Sequence, residues 1–497
     1  MQNWVILPLL IPLLIGLSSL IRRRAFRRRA FLIGTFANML FCLWLLYSTQ
    51  GETVLVTQVG GHPAPFGISL VVDSLSAFML SITAVVSFAI GIYATVTIDA
   101  NRERFAFFPL TGFLVMGINF AFLTGDLFTL YVAFEVMLMS SFVLLTLGGE
   151  RGQIEGGLKY VTLNLISSTV FLAAAGLTYA AAGTLNMAQL AERLAGQPSP
   201  GLTTVLAGLF LIVFGIKGAI FPLFFWLPAS YHTPPVALTA LFGGLLTKIG
   251  IYAMWRVLAM MFPQDVAFFQ PLLLVLAALT MIVGVLGAIA QNDFRRLLSF
   301  HIISQIGYLL MGLALFTVES MTASVFFMFH VILAKTALFM VSGIANAIEG
   351  TYELKKLGGL QQTHPRLALI FLLAALGLAG TPPLSGFWAK YLLLRAGVEA
   401  GQYGIVAVAL VVSLLTFYSM IKIWNEVFWK KPPEIQQPVS PFRMRWMMGS
   451  TALLAALVVL IGVLVEPVTQ LSRHIAEGIT SPATYIDTVL MNDGEGE

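Results

Sequence analysis

Residues 202–228 read LTTVLAGLFLIVFGIKGAIFPLFFWLP. The run is greasy enough for lipid, yet Lys217 sits well inside it and Pro222 follows five residues later. A charge at the bilayer centre costs roughly 2.5–3.5 kcal/mol on insertion scales. Proline removes a backbone donor and clashes with the preceding turn. Read together, they describe a membrane helix broken beside a charge. Such a break is tolerated where protein buries it or where it lines a watery cavity.

The rest of the chain agrees with a membrane reading. Of 497 residues, 58% are hydrophobic and 10% charged, with a mean hydropathy of +0.89. An ordinary soluble domain is about 25% charged. Windows of roughly 19–20 residues mark about fourteen spans. They fall at 4–21, 31–48, 72–96, 106–124, 126–147, 158–182, 202–226, 234–259, 269–291, 297–316, 321–348, 366–396, 404–428 and 446–470. The expected fold is therefore all-α, a polytopic bundle with no connection long enough to build a separate core. The tail after residue 470, ending in NDGEGE, reads as peripheral. No basic residue precedes the first apolar run, so it reads as a span and not as a secretory signal. Cys42 is the sole cysteine, which excludes a disulfide framework, a Cys-rich zinc site and a cysteine-held iron–sulfur cluster.

The pI of about 9.2 has a topological explanation, not a nucleic-acid one. With RRRAFRRR at 22–29 placed in the cytoplasm, the alternation of spans puts 19 lysines and arginines in cytoplasmic loops. The outer side receives four: Arg193, Arg256, Arg395 and Arg473. This satisfies the positive-inside rule and places both termini outside. The arginine run could also hold anionic lipid, although topology accounts for it.

Five of the 28 basic residues remain: Lys217, Lys248, Lys335, Lys390 and Lys422. Lys422 lies near a cytoplasmic end and can snorkel. The other four lie several turns from either end of a span, as do Glu135 and His330. Glu135 is the one carboxylate at that depth, so it can neutralise one lysine only; Asp73 and Asp126 sit at outer ends. A surplus of central lysines suits groups that exchange protons better than ion pairs that glue helices. Removal from water and crowding by like charge both favour loss of a proton from an ammonium. His232 and His301 lie near cytoplasmic ends, where a plain hydrogen bond is as good a reading as proton access.

Span twelve carries a second break. Residues 377–390 read GLAGTPPLSGFWAK, with Pro382 and Pro383 among glycines and Lys390 seven residues beyond. Interrupted spans in corresponding positions of two halves point to inverted repeats. The breaks lie five spans apart, which divides the chain into 1–105 (spans 1–3), 106–259 (spans 4–8), 260–428 (spans 9–13) and 429–497 (span 14 and tail). Five is odd, so consecutive units run in opposite senses. There is no GxGxxG after a strand, no Walker A and no HExxH. Redox or hydrolytic chemistry, if it energises this chain, belongs to another subunit.

These motifs are specific. The chain resembles the antiporter-like, proton-translocating membrane subunits shared by respiratory complex I, membrane-bound hydrogenases and Mrp-type cation/proton antiporters. The resemblance rests on Glu135 in span five, FGIKGAIFPLFFWLP in span seven, GGLLTKIG in span eight and PPLSGFWAK in span twelve. It implies that Glu135 and Lys217 form a pair that sets proton affinity, that Lys248 is a central relay and that Lys390 serves the exit side. His330 and Lys335 fall in the family's region of central polar residues. Within the family, the core-only length and Lys390 match the D-type subunits of Mrp antiporters. The resemblance implies a bacterial inner-membrane protein that works with other membrane subunits on protons and monovalent cations, sodium foremost, without a cofactor. The alternative is a proton-pumping subunit of a complex I-like or hydrogenase complex. The resemblance assigns no metal site and leaves the cation's route open.

Overall fold

The computed structural model describes residues 2–21, 23–51, 53–195, 201–432 and 437–491. Arg22 and the acidic stretch 492–497, both used in the sequence reading, lie outside the described residues. The chain is mostly helical. α1 (Leu7–Ser18) and α2 (Arg24–Ser48) lead into a hairpin of β1 (Leu55–Val59) and β2 (Ile68–Val72). There follow α3 (Ser74–Thr97), the short α4 (Ala100–Arg104), α5 (Phe107–Leu123), α6 (Leu127–Thr146), α7 (Arg151–Ala182) and the surface helix α8 (Met187–Leu194). The first broken span is α9 (Leu202–Gly218) with the one-turn α10 (Trp226–Ser230). A continuous helix Val236–Met261 joins α11 (Val236–Leu241), a π segment, α12 (Thr247–Met254) and a second π segment, Trp255–Met261. Then come α13 (Val266–Ile289), α14 (Phe294–Leu315), α15 (Val318–Glu349) and the short α16 (Leu360–Thr363). The second broken span is α17 (Pro365–Ala379) with α18 (Ser385–Glu399). α19 (Tyr403–Ile423) continues into a π segment Trp424–Trp429, and α20 (Pro441–Val463), α21 (Val465–Thr480) and α22 (Ala483–Met491) close the chain.

Among the described residues, ten helices are long and apolar enough to cross a membrane, which makes the protein multi-pass. The helices in the middle of the bundle are Val236–Met261, α14 and α15, whose best apolar windows are at least 94% buried. Apolar residues surround them on all sides, as expected of helices enclosed by other helices instead of lipid.

Four sequence expectations need correction. The fold is not all-α: β1 and β2 pair antiparallel from Leu55↔Val72 to Val59↔Ile68. Each strand is five residues long, too short to register in a window set for membrane spans. The arginine run is not a loop, since Arg24 to Arg29 form the first turns of α2. Arg24, Arg27 and Arg28 fold onto the fully buried carboxylate of Glu103. The last span stops at Val463, and the tail packs as two helices against α15, α3 and α8. Arg256, counted among the outer-side charges, does not face solvent. It is 4% exposed within the second π segment and is ion-paired to Asp73.

Candidate functional site

Each broken span ends its first half in a left-handed residue, Ala219 (φ 57°) or Gly380 (φ 91°). The carbonyls freed at the first break find partners: Ile220 N–H donates to Gly215 O at 3.0 Å and Trp226 Nε1 donates to Ile216 O at 3.0 Å. Phe221 N–H, no longer helical, donates to Thr280 Oγ1 of α13. Lys217 lies in the last turn of α9, where the negative end of the helix dipole favours a cation. Its Nζ donates to Ser168 Oγ at 3.2 Å and stands 5.1 Å from the Phe134 ring centroid. Glu135, on α6, is close enough for its charge to act on Lys217, yet no ion pair within 4.0 Å joins the two. One carboxylate oxygen of Glu135 is buried without a partner. The sequence pairing is therefore one of charge proximity.

Lys248 is wholly buried on α12, next to α9. Their approach depends on two glycines: a Cβ at Gly250 would stand 2.6 Å from Gly218 N and 2.9 Å from Lys217 C. Lys248 Nζ donates to Gly243 O at 2.7 Å, five residues back in the π segment Phe242–Leu246. A π segment takes carbonyls out of the regular α ladder and is frequent at functional sites.

Lys335, on α15, is wholly buried and donates to Leu298 O of α14 at 3.3 Å. It lies within electrostatic range of both Lys248 and Lys390. His330, five residues earlier, accepts from or donates to Ser385 Oγ through Nδ1 at 2.8 Å, while its Nε2 is buried and unpartnered. Ser385 opens α18, so this bond ties α15 to the second break.

Lys390 Nζ donates to Ala379 O at 2.9 Å, the carbonyl at the end of α17, and to Ser413 Oγ at 3.0 Å. Ser413 Oγ in turn donates to Ala379 O at 2.9 Å. The amine stands 5.2 Å from the Tyr308 ring centroid. The break thus supplies the acceptor that holds the charge.

Of the six predicted side chains, Lys217, Lys248, Lys335, His330 and Lys390 are buried and Glu135 is half-buried. Pro222, Pro382 and Pro383 sit in the two breaks. The sequence reading missed the hydroxyls Ser168, Ser385 and Ser413, because serines on apolar helices carry no signal of their own. It also left His301 near a cytoplasmic end. His301 is wholly buried within range of Lys335 and Lys390, its Nε2 2.6 Å from Ser419 Oγ. Lys422 caps carbonyls of Ile289 and Gln291 at the end of α13. Thr247 Oγ1, Ser304 Oγ, both Gln305 side-chain atoms and His301 Nδ1 are buried without partners along the same region. Atoms of this kind are where ordered water makes its bonds. Among the described residues no group of three or more His, Cys, Asp or Glu could hold a metal.

A bundle with interrupted helices and a line of buried amines belongs to the class of polytopic ion-translocating subunits. Residues 124–416 match the family described as NADH:quinone oxidoreductase/Mrp antiporter, transmembrane. The chain is 42% identical to the D-type subunit of the Na(+)/H(+) antiporter of Alkalihalophilus pseudofirmus, over 99% of this chain and all of that one. Its fold is similar to a chain of the Mrp complex from Dietzia sp. DQ12-45-1b, with a TM-score of 0.92, 31% identity and coverage of 99% and 100%. It is also similar to a chain of an archaeal membrane-bound sulfane sulfur reductase, with a TM-score of 0.90, 26% identity and coverage of 99% and 100%. The chain belongs to the NADH:quinone oxidoreductase/Mrp antiporter family of membrane proteins.

Proposed function

We propose that this chain is the proton-conducting subunit of a multisubunit sodium/proton antiporter. The observation that carries the reading is the line of buried basic side chains held by carbonyls and hydroxyls instead of carboxylates. Such amines can lose and regain a proton without breaking a buried ion pair, which would cost about 3–5 kcal/mol. Protons move along Lys217, Lys248, Lys335 with His330, and Lys390. Like charges disfavour neighbouring protonation and an opposite charge favours it, so occupancy at one site drives release at the next. Glu135 sets the occupancy of Lys217 from a distance. The membrane-bound redox alternative is less well supported, since similarity to the antiporter chain is 42% against 26% for the sulfur reductase chain.

The same reading takes the chain across the membrane fourteen times, ten long helices plus four shorter apolar ones at Trp4–Ser18, Phe107–Leu123, Leu202–Gly218 and Pro365–Ala379. Contacts between loops respect this alternation. Ser69 meets Gly125 and Asn186, and Arg473 meets Glu319, all on the proposed outer side. Arg102 meets Glu150, and Arg295 meets Pro234, all on the proposed cytoplasmic side. Both termini then lie outside the inner membrane of a bacterial cell.

Two inverted units, 106–259 and 260–428, are supported by features that recur in order. Asp126 and Asp293 each cap the second helix of a unit, accepting from Thr129 N and Arg296 N at 2.8 Å. Each aspartate forms an isolated bridge to the segment after the third helix, Asp126↔Asn186 and Asp293↔Glu353. Each fourth helix is broken, and each fifth ends in a π segment beginning with tryptophan, Trp255 or Trp424.

The test is to express the full set of partner subunits in an antiporter-deficient bacterial strain, with and without this chain. Sodium tolerance and sodium-dependent proton movement in everted vesicles are expected only with it. Co-purification with flavin and iron–sulfur subunits, without sodium-dependent proton movement, would overturn the reading in favour of a redox pump.

A further inference from the structure

We infer that Asp73 and Arg256 form an electrostatic seal between the outer surface and Lys248. Lys248, Tyr252 and Arg256 are spaced four apart on one fully buried helix, so they share a face. Arg256 is two turns from Lys248, about 12 Å along the axis, toward the proposed outer end. Its Nη2 donates to Asp73 Oδ1 and, at 3.1 Å, to Ser76 Oγ; its Nε donates to Tyr252 OH at 3.2 Å. Tyr252 OH donates to Phe122 O at 2.9 Å.

Outside the pair is a surface cavity of about 320 Å³, lined by Thr53, Asp73, His474, Glu477, Thr484 and Tyr485 among others. Tyr485 of α22, 4% exposed, covers the guanidinium with its ring centroid 5.1 Å from Cζ. Inside the pair, polar positions continue inward on both helices. Thr83 and Ser87 follow Ser76 by seven and eleven residues, hence on the same face of α3, and both hydroxyls are buried and unpartnered. Thr247 Oγ1, beside Lys248, is buried and unpartnered too. The pair therefore stands between an open cavity and a stripe of groups that bind water. A plain ion pair holding α3 to its neighbour would need no such stripe behind it.

A guanidinium keeps its proton at every physiological pH, so it cannot pass one from the cavity to Lys248. Asp73 holds it in place, and Tyr252 and Tyr485 close the space around it. With the seal shut, the line of lysines exchanges with the outside only through its far end, near Lys390. This role rests on the proton-path reading above.

The test uses the purified complex in proteoliposomes, with passive proton flux measured at an imposed pH gradient without sodium. The double variant Asp73→Asn/Arg256→Gln removes both charges and keeps hydrogen-bonding groups of similar shape. It is expected to assemble and to raise the passive flux by about tenfold or more, the change equivalent to one charge-assisted hydrogen bond. Adding Lys248→Ala is expected to abolish that extra flux. An assembled double variant with wild-type flux would overturn the inference, and so would a leak that survives Lys248→Ala. Wild-type complexes run in parallel separate the two readings: if they do no sodium-dependent transport, the proton path itself fails, whereas a tight double variant in a transporting preparation fails only the seal.

Discussion

A lysine in the middle of this protein is held by oxygen atoms that carry no full charge. Lys248 has Gly243 O, Lys335 has Leu298 O, Lys217 has Ser168 Oγ, and Lys390 has Ala379 O with Ser413 Oγ. Such partners accept from an ammonium and tolerate its neutral form, which a buried carboxylate would not. Ser413 both accepts from Lys390 and donates to Ala379 O, so it fixes the amine at the break. Ser413→Ala is expected to slow antiport several-fold, consistent with loss of about 1–2 kcal/mol at one charged hydrogen bond, with normal assembly. The check is the initial rate of sodium-driven proton flux in vesicles, where an unchanged rate would count against a positioning role. The lysines themselves were legible in the sequence, because a charge in an apolar run stands out. Their partners were not, since a serine on a helix gives no sign of which way it faces. Arg256 was counted with the outer side for a related reason: it lies near the outer end of the expected span 234–259, and nothing in the sequence shows that Asp73 pairs with it.

At the scale of elements, the two breaks and the π segments do the work of exposing acceptors. The sequence announced the breaks through Pro222, Pro382 and Pro383, because proline's effect on a helix is local. The π segments were invisible, as they follow from packing rather than composition. Among the described glycines, the closest approach falls at the second break. A Cβ at Gly386 would lie 1.8 Å from Gly377 O and 2.7 Å from His330 Nε2. Gly386→Ala must therefore move backbone, and a loss of about 3 kcal/mol or failure to assemble is expected. Gly449, in the middle of α20, offers the control, as nothing lies within 4 Å of its notional Cβ. Gly449→Ala is expected to be neutral or to stabilise by up to about 1 kcal/mol, as for alanine in a helix interior. Thermal unfolding of the detergent-solubilised complex compares the two. Equal stability of both variants would show that the break can relax.

For the whole molecule, the long apolar runs made the bundle legible in the sequence, while the β1–β2 hairpin and the packed tail were not. Both depend on contacts with other parts of the chain, such as Tyr485 against Arg256. The lone cysteine makes the topology easy to probe, since Cys42 is fully buried. Phe66→Cys, at the 91% exposed hairpin tip, is expected to react with a membrane-impermeant thiol reagent in intact cells. Arg296→Cys, also exposed, is expected to react only in everted vesicles. The opposite labelling would reverse the orientation. The ends of the bundle are also fastened: Glu103, fully buried, gathers Arg24, Arg27 and Arg28. Glu103→Gln leaves three like charges together, and a loss of about 2 kcal/mol in the same unfolding assay is expected. The central claim is that protons travel along the buried lysines. Its most direct test is sodium-driven proton flux through a purified, fully assembled complex carrying Lys217→Ala: the account predicts that flux is abolished, and flux at the wild-type rate would contradict it.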